Sequence, residues 1–202
     1  MINDKKIAWN RRRVFFPVHQ MAGALADSSL GAGTPTIVEL TVGGSELIGL
    51  PFDDEDEIYH FWPIPWDMDI MQPIRFRVWF VHAATSADTP AFQVDYKALG
   101  KQEAIVDAKA STDEAVAIPA HTCSTTDNSL EITAWAESAS DTKIVSTDFA
   151  LLLALEMTDL GSASGDECEI LGLELDYTVA AAPGEFRRQT RNAVASPSGP
   201  NY

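Results

Sequence analysis

Cysteine is scarce: Cys123 and Cys168 are the whole complement, and neither belongs to a CxxC pair. That excludes a disulfide-stapled scaffold and a thiolate zinc site, and it reads as two free thiols in a reducing compartment. Histidine is scarce too. His19, His60, His82 and His121 show neither HxH nor HxxxH spacing, so no metal site is expected from them. No stretch approaches the roughly 20 apolar residues of a membrane helix. Residues 1–26 lack the apolar core of a secretory signal. Basic residues are few, 14 Lys and Arg against 30 Asp and Glu, for a net charge of −16. That balance argues against nucleic acid or an anionic membrane as a partner. What remains is ordinary for a globular chain: 202 residues, 46% hydrophobic and 22% charged. This suits one domain with tails and excludes a disordered chain, a collagen or a coiled coil.

The charge is unevenly spread. Residues 1–26 carry Lys5, Lys6, Arg11, Arg12 and Arg13 against Asp4 alone, and residues 183–202 carry Arg187, Arg188 and Arg191 against Glu185 alone. Between them, residues 27–182 hold six basic and 28 acidic residues. The chain is an acidic body with two basic ends. Such ends dock on acidic surfaces, of another copy or of a different protein, or else are solvated termini. The first end also holds Trp9, Val14, Phe15, Phe16 and Val18, more large apolar groups than a solvated tail carries. The expected organisation is a basic N-terminal arm at 1–35, a β-domain at 36–180 and an extended Ala/Ser/Pro/Gly-rich tail at 181–202. The expected partner-binding residues are Trp9, Arg11, Arg12, Arg13, Phe15, Phe16, Arg187, Arg188 and Arg191.

Period-2 alternation marks strands through the middle. Ile74, Phe76, Val78 and Phe80 alternate with Arg75, Arg77, Trp79 and Val81. Phe92, Val94 and Tyr96 alternate with Gln93, Asp95 and Lys97, and Leu171, Leu173, Leu175 and Tyr177 with Ile170, Gly172, Glu174 and Asp176. Val38, Leu40 and Val42 form another alternating set. Shorter runs lie near 57–62, 115–118, 130–135 and 149–157, the last nearly continuous in leucine, as in a strand buried on both faces or covered by a partner. Breakers such as Gly43-Gly44, Thr89-Pro90 and Leu99-Gly100 separate the runs. No window of ten or more residues reads as an amphipathic helix; 103–110 offers one or two turns at most. The expected fold is all-β, a jelly-roll-like antiparallel β-sandwich with extended N- and C-terminal arms.

Recognisable chemistry is thin. Asp53 to Glu57, with Asp67 and Asp69, is a carboxylate cluster of the kind that holds Ca²⁺, but it lacks the glycine and distal glutamate of an EF-hand loop. Charge blocks of this sort are ordinarily solvated or dock a basic segment. There is no GxSxG elbow, Gly161 to Gly165 lacks the lysine and helix of a phosphate loop, and His121 beside Cys123 is weak as a nucleophile–base pair. An enzyme, a cofactor and a bound metal are therefore not expected. The aromatic run Phe61-Trp62-Pro63-Ile64-Pro65-Trp66 is denser. Trp62 and Trp66, with Trp79 and Trp135 on strands, would suit stacking on a sugar if exposed, and would fill a core or interface if not.

The segments Phe61-Trp62-Pro63-Ile64-Pro65-Trp66-Asp67-Met68-Asp69, Pro73-Ile74-Arg75-Phe76-Arg77-Val78-Trp79-Phe80 and Phe92-Gln93-Val94-Asp95-Tyr96-Lys97-Ala98-Leu99 resemble β-sandwich structural proteins of tailed bacteriophages, of the type infecting cyanobacteria and other marine bacteria. The resemblance spans about residues 57–179 and lies in a strand pattern, not a catalytic motif. It implies a capsid decoration (cement) protein that acts as a homotrimer on the outer capsid surface of the virion, with the major capsid protein as partner. A tail- or fibre-associated receptor- or carbohydrate-binding protein is the other expectation.

Overall fold

A computed structural model of the chain describes residues 11–21, 38–42, 45–52, 56–104, 112–140, 142–161 and 168–180. Among them are eleven strands and no α-helix: β1 (Arg11–Pro17), β2 (Val38–Val42), β3 (Ser45–Pro51), β4 (Glu57–Pro63), β5 (Arg75–His82), β6 (Ala91–Gly100), β7 (Glu114–Ile118), β8 (Ser129–Ile132), β9 (Ala136–Glu137), β10 (Asp148–Asp159) and β11 (Cys168–Thr178). They form two antiparallel sheets. In the first, β11 and β5 lie at the centre, with β1 and β3 sharing the outer edge of β11 and β8 and β9 sharing the outer edge of β5. The second runs β4-β10-β6-β7.

The strand order identifies the topology. With the β2–β3 hairpin set aside as an insertion and β8/β9 taken as one interrupted strand, the remaining strands fall in the order 1-8-3-6 in the first sheet and 2-7-4-5 in the second. Apart from the β6–β7 pair, successive strands therefore cross between sheets in the double Greek key of a jelly roll. The alternating residues set which side faces in. Ile74, Phe76, Val78, Phe80, Leu173 and Leu175 of the first sheet meet Phe92, Val94, Tyr96, Leu151, Leu153 and Leu155 of the second, all at most 1% exposed. Each such side chain contributes about 1.5–3 kcal/mol by leaving water. The leucine-rich β10 is buried along most of its length because it lies between β4 and β6.

Two features of the sequence reading change. The stretch 11–17, expected within a separate arm, is a strand of the sandwich, zipped to β11 from Arg11 opposite Thr178 to Pro17 opposite Gly172. Its charge hid it: three consecutive arginines erase the contrast between the two faces of a strand. The run 130–135 is strand only as far as Ile132, the end of β8; Thr133, Ala134 and Trp135 leave the ladder, and β9 begins beyond the run at Ala136. Residues 1–10, all of the helical option 103–110 beyond Ala104, and the tail 181–202 lie outside the described residues.

Candidate functional site

The register of the first sheet dictates what its outer face carries. Cross-strand partners point to the same side, so Arg13 stands beside Asp176 and Arg75, and Phe15 beside Glu174 and Arg77. One rung further, Gly172 lies beside Trp79. Arg11, Arg13, Arg75 and Arg77 thus surround two carboxylates at the centre of the face.

The carboxylates are almost wholly covered, with side chains 2% (Asp176) and 8% (Glu174) exposed. Asp176 accepts from Arg11 Nε and, at 2.8 Å, from Arg75 Nη2, while Arg13 Nε stands 3.6 Å away. Glu174 Oε2 accepts from Arg77 at 2.7 Å and from the Trp79 indole N–H at 2.8 Å. Trp135 completes the array. The guanidinium carbons of Arg77, Arg75 and Arg13 lie 4.4, 5.3 and 5.5 Å from its ring centroid, within cation–π range. Arg77 also covers Trp79 at 5.3 Å. Most of these cations are partly buried, but Arg13 is 58% exposed and approaches its carboxylates no closer than 3.6 Å. Phe15, 44% exposed, packs edge-on against Trp79, and a recess of about 300 Å³ opens between Phe15, Trp79 and Glu174.

The remaining expected residues separate. Arg12 points away from its neighbours on β1 and pairs with the buried Asp67 at 2.8 Å. Phe16 and Trp62 are core residues, 4% and 6% exposed, that pack on each other, and Trp62 also packs on Tyr177. Trp62 is therefore no surface platform: it shares the inward phase of Ile58 and His60 on β4. Trp66 lies past the end of that strand and is 64% exposed. Trp9, Arg187, Arg188 and Arg191 lie outside the described residues, as do Asp53, Asp54 and Glu55 of the acidic cluster. Of that cluster's described members, Asp56 is buried and Glu57 accepts from the Tyr59 hydroxyl. Among the described residues no three His, Cys, Asp or Glu side chains are grouped to hold a metal ion. Arg75, Arg77, Glu174 and Asp176 are not among the site residues expected from the sequence, and Trp79 and Trp135 enter there only as aromatics for sugar stacking. The available signal was the matched i, i+2 spacing of Arg11/Arg13, Arg75/Arg77 and Glu174/Asp176.

At the opposite end of β5 two histidine clusters carry residue types common in catalytic sites. His82 Nε2 lies 2.9 Å from Asp88 Oδ2, and the Ser86 hydroxyl donates to the same oxygen. Serine and histidine both address the carboxylate rather than each other, so the hydroxyl does not donate to the imidazole as in a Ser-His-Asp triad. Both His82 and Asp88 are fully enclosed. The arrangement clamps the 83–90 loop to β5. His121 Nε2 meets Glu131 Oε2 at 2.8 Å. Burial raises the Glu131 pKa, but hydrogen bonds from Ser129, His121 and the Ser124 amide outweigh it and leave the group below the usual carboxylate range. The Cys123 thiol is pushed up to about 12 by burial, then by Glu131 and Asp88, which keeps it protonated and unreactive.

A second recess, about 520 Å³, lies on the outer side of the second sheet between Phe61, Leu99, Phe149 and Ala150, with Lys101 and Glu103 at its rim. No protein-family model matches the chain, and no curated protein matches it in sequence.

Proposed function

We propose that the chain is a non-enzymatic structural protein of a bacteriophage virion, a capsid decoration protein that binds the outer capsid surface as a homotrimer and stabilises the shell. The strand order carries this reading. A jelly roll is an architecture of viral capsid and lectin domains, and the three segments that resemble phage virion proteins fall on consecutive crossing strands, β4, β5 and β6. Fold alone does not assign function. The described chemistry is compatible with a binding role: His82 and Ser86 both address Asp88, His121 addresses Glu131, and Cys123 is buried. Several modest contacts per trimer would multiply into firm attachment.

The test is cryo-electron microscopy of the native particle together with rebinding of the purified chain to capsids that lack it. Trimer density on the outer shell and saturable rebinding are expected. A virion without this chain overturns the reading. Density on the tail moves it to the second reading, recognition of a carbohydrate receptor, which the exposed Trp66 favours. Loss of glycan-array binding on Trp66→Ala would then follow.

A further inference from the structure

We infer that the outer face of the first sheet, centred on Arg13, Phe15, Trp79 and Trp135, is a docking site for an acidic segment of a partner protein. The inference rests on the decoration reading only for where that partner sits.

Charge is the first reason. The face brings together four guanidinium groups around two carboxylates, in a chain whose net charge is −16. The two carboxylates lie beneath the guanidinia, so the face shows cations to the outside. Arg13 is the outermost, and its contacts at 3.6 and 4.0 Å leave its donors free to bind a new carboxylate in the bidentate manner of guanidinium.

Preorganisation is the second reason. Three guanidinia are held over Trp135, and the Trp79 indole is fixed by Glu174, so little side-chain freedom remains to be lost on binding. Arg and Trp in such a setting are the residue types that dominate interface energetics. The third reason is shape. The recess beside Phe15 and Trp79 is about 300 Å³ and nearly apolar in its lining, room for one apolar side chain next to the cations.

These features select an acidic protein segment with an apolar anchor. A nucleic acid presents about one charge per 1.7 Å and gains most from an extended basic surface. This basic patch is local, within a strongly acidic body that repels a long polyanion. A second copy cannot dock face to face here, because like charges would meet.

The test uses the full chain and a fluorescein-labelled peptide with two Asp-Glu pairs flanking one leucine, read by fluorescence anisotropy. Saturable binding is expected, weakening as salt rises. Arg13→Glu and the milder Arg13→Gln are each expected to weaken it, the former by about tenfold or more, and Phe15→Ser to weaken it at unchanged salt dependence. Lys101→Glu, at the recess of the other sheet, should leave it unchanged. Equal affinity in all variants overturns the inference. Competition by double-stranded DNA at equal charge concentration overturns the choice of a protein segment. Self-association that Arg13→Glu abolishes overturns the choice of a separate partner. Rebinding to capsids separates the two readings. If Arg13→Glu loses both peptide and capsid, the face is the capsid contact. If it loses the peptide but still decorates, the face is not. If the wild-type chain binds the peptide and no capsid, the decoration reading fails and the face stands.

Discussion

A single side chain shows how the core tunes its chemistry. His60 shares the inward phase of β4, with its ring centroid 4.2 Å from that of Phe16 and its Nδ1–H donating to the Gln20 carbonyl at 3.4 Å. Burial lowers its pKa, and the Gln20 carbonyl only partly opposes this. The unfolded chain, with an imidazole pKa of about 6.5, therefore takes up the proton more readily than the folded one. The sign follows: stability is full above about pH 6.5 and declines as pH falls through that value toward the lower, folded one. Wild-type Tm should fall between about pH 7 and pH 5 more steeply than that of His60→Gln. Calorimetry of both proteins across that range measures the difference, and parallel curves would refute it. The same residue scale separates Trp62 from Trp66. Two indoles four positions apart look alike in the sequence, yet one lies on a strand in the core phase and the other beyond the strand's end.

At the scale of elements, β1 depends on a glycine. A Cβ on Gly172 would lie 2.4 Å from the Phe16 carbonyl oxygen and 2.7 Å from the Phe15 ring. The carbonyl is backbone, so relief requires β1 to move off β11. Gly172→Ala should cost about 1–3 kcal/mol, as overpacking does, and urea denaturation monitored by Trp fluorescence reads it. A change under about 0.5 kcal/mol would show that β1 is held less closely than its register implies. The strands that alternation revealed, at 75–82, 91–100 and 168–178, each have one apolar and one polar side. The strands that it missed, β1, β3 and the two-residue β9, fail that condition, lack punctuation or are too short to alternate. β1 carries arginine on both faces. β3 follows β2 across Gly43-Gly44, which reads as the end of a strand rather than as the middle of a hairpin. The site was unreadable for a related reason. Its charges come from strands far apart in sequence, and only the register β1-β11-β5 brings Arg13, Asp176 and Arg75 into one row.

At the scale of the whole molecule, the fold closes by joining its two ends. β1 pairs with β11 across about 160 residues of chain, the final step in a topology rich in long-range pairing. That clasp covers the backbone edge of residues 172–178, buries Phe16 against Trp62 and His60, and supplies Arg11 and Arg13 to Asp176. Removing residues 1–17 should therefore do more than trim a tail. Losing Phe16 alone is worth about 3–5 kcal/mol, and Asp176 keeps only Arg75 of its three cationic neighbours. The truncated protein should lose at least about 3 kcal/mol of stability. A synthetic peptide of residues 8–20 should restore it by strand addition, raising Tm with peptide concentration as any ligand of the folded state does. An unchanged Tm on truncation would mean that β1 is not part of the cooperative fold, and restoration by a peptide of scrambled order would mean that charge rather than register holds it. A deletion that reaches past Arg11 removes a strand of the sandwich, so its failure to decorate would report on folding, whereas Arg13→Glu and Phe15→Ser leave β1 in place and report on the face itself.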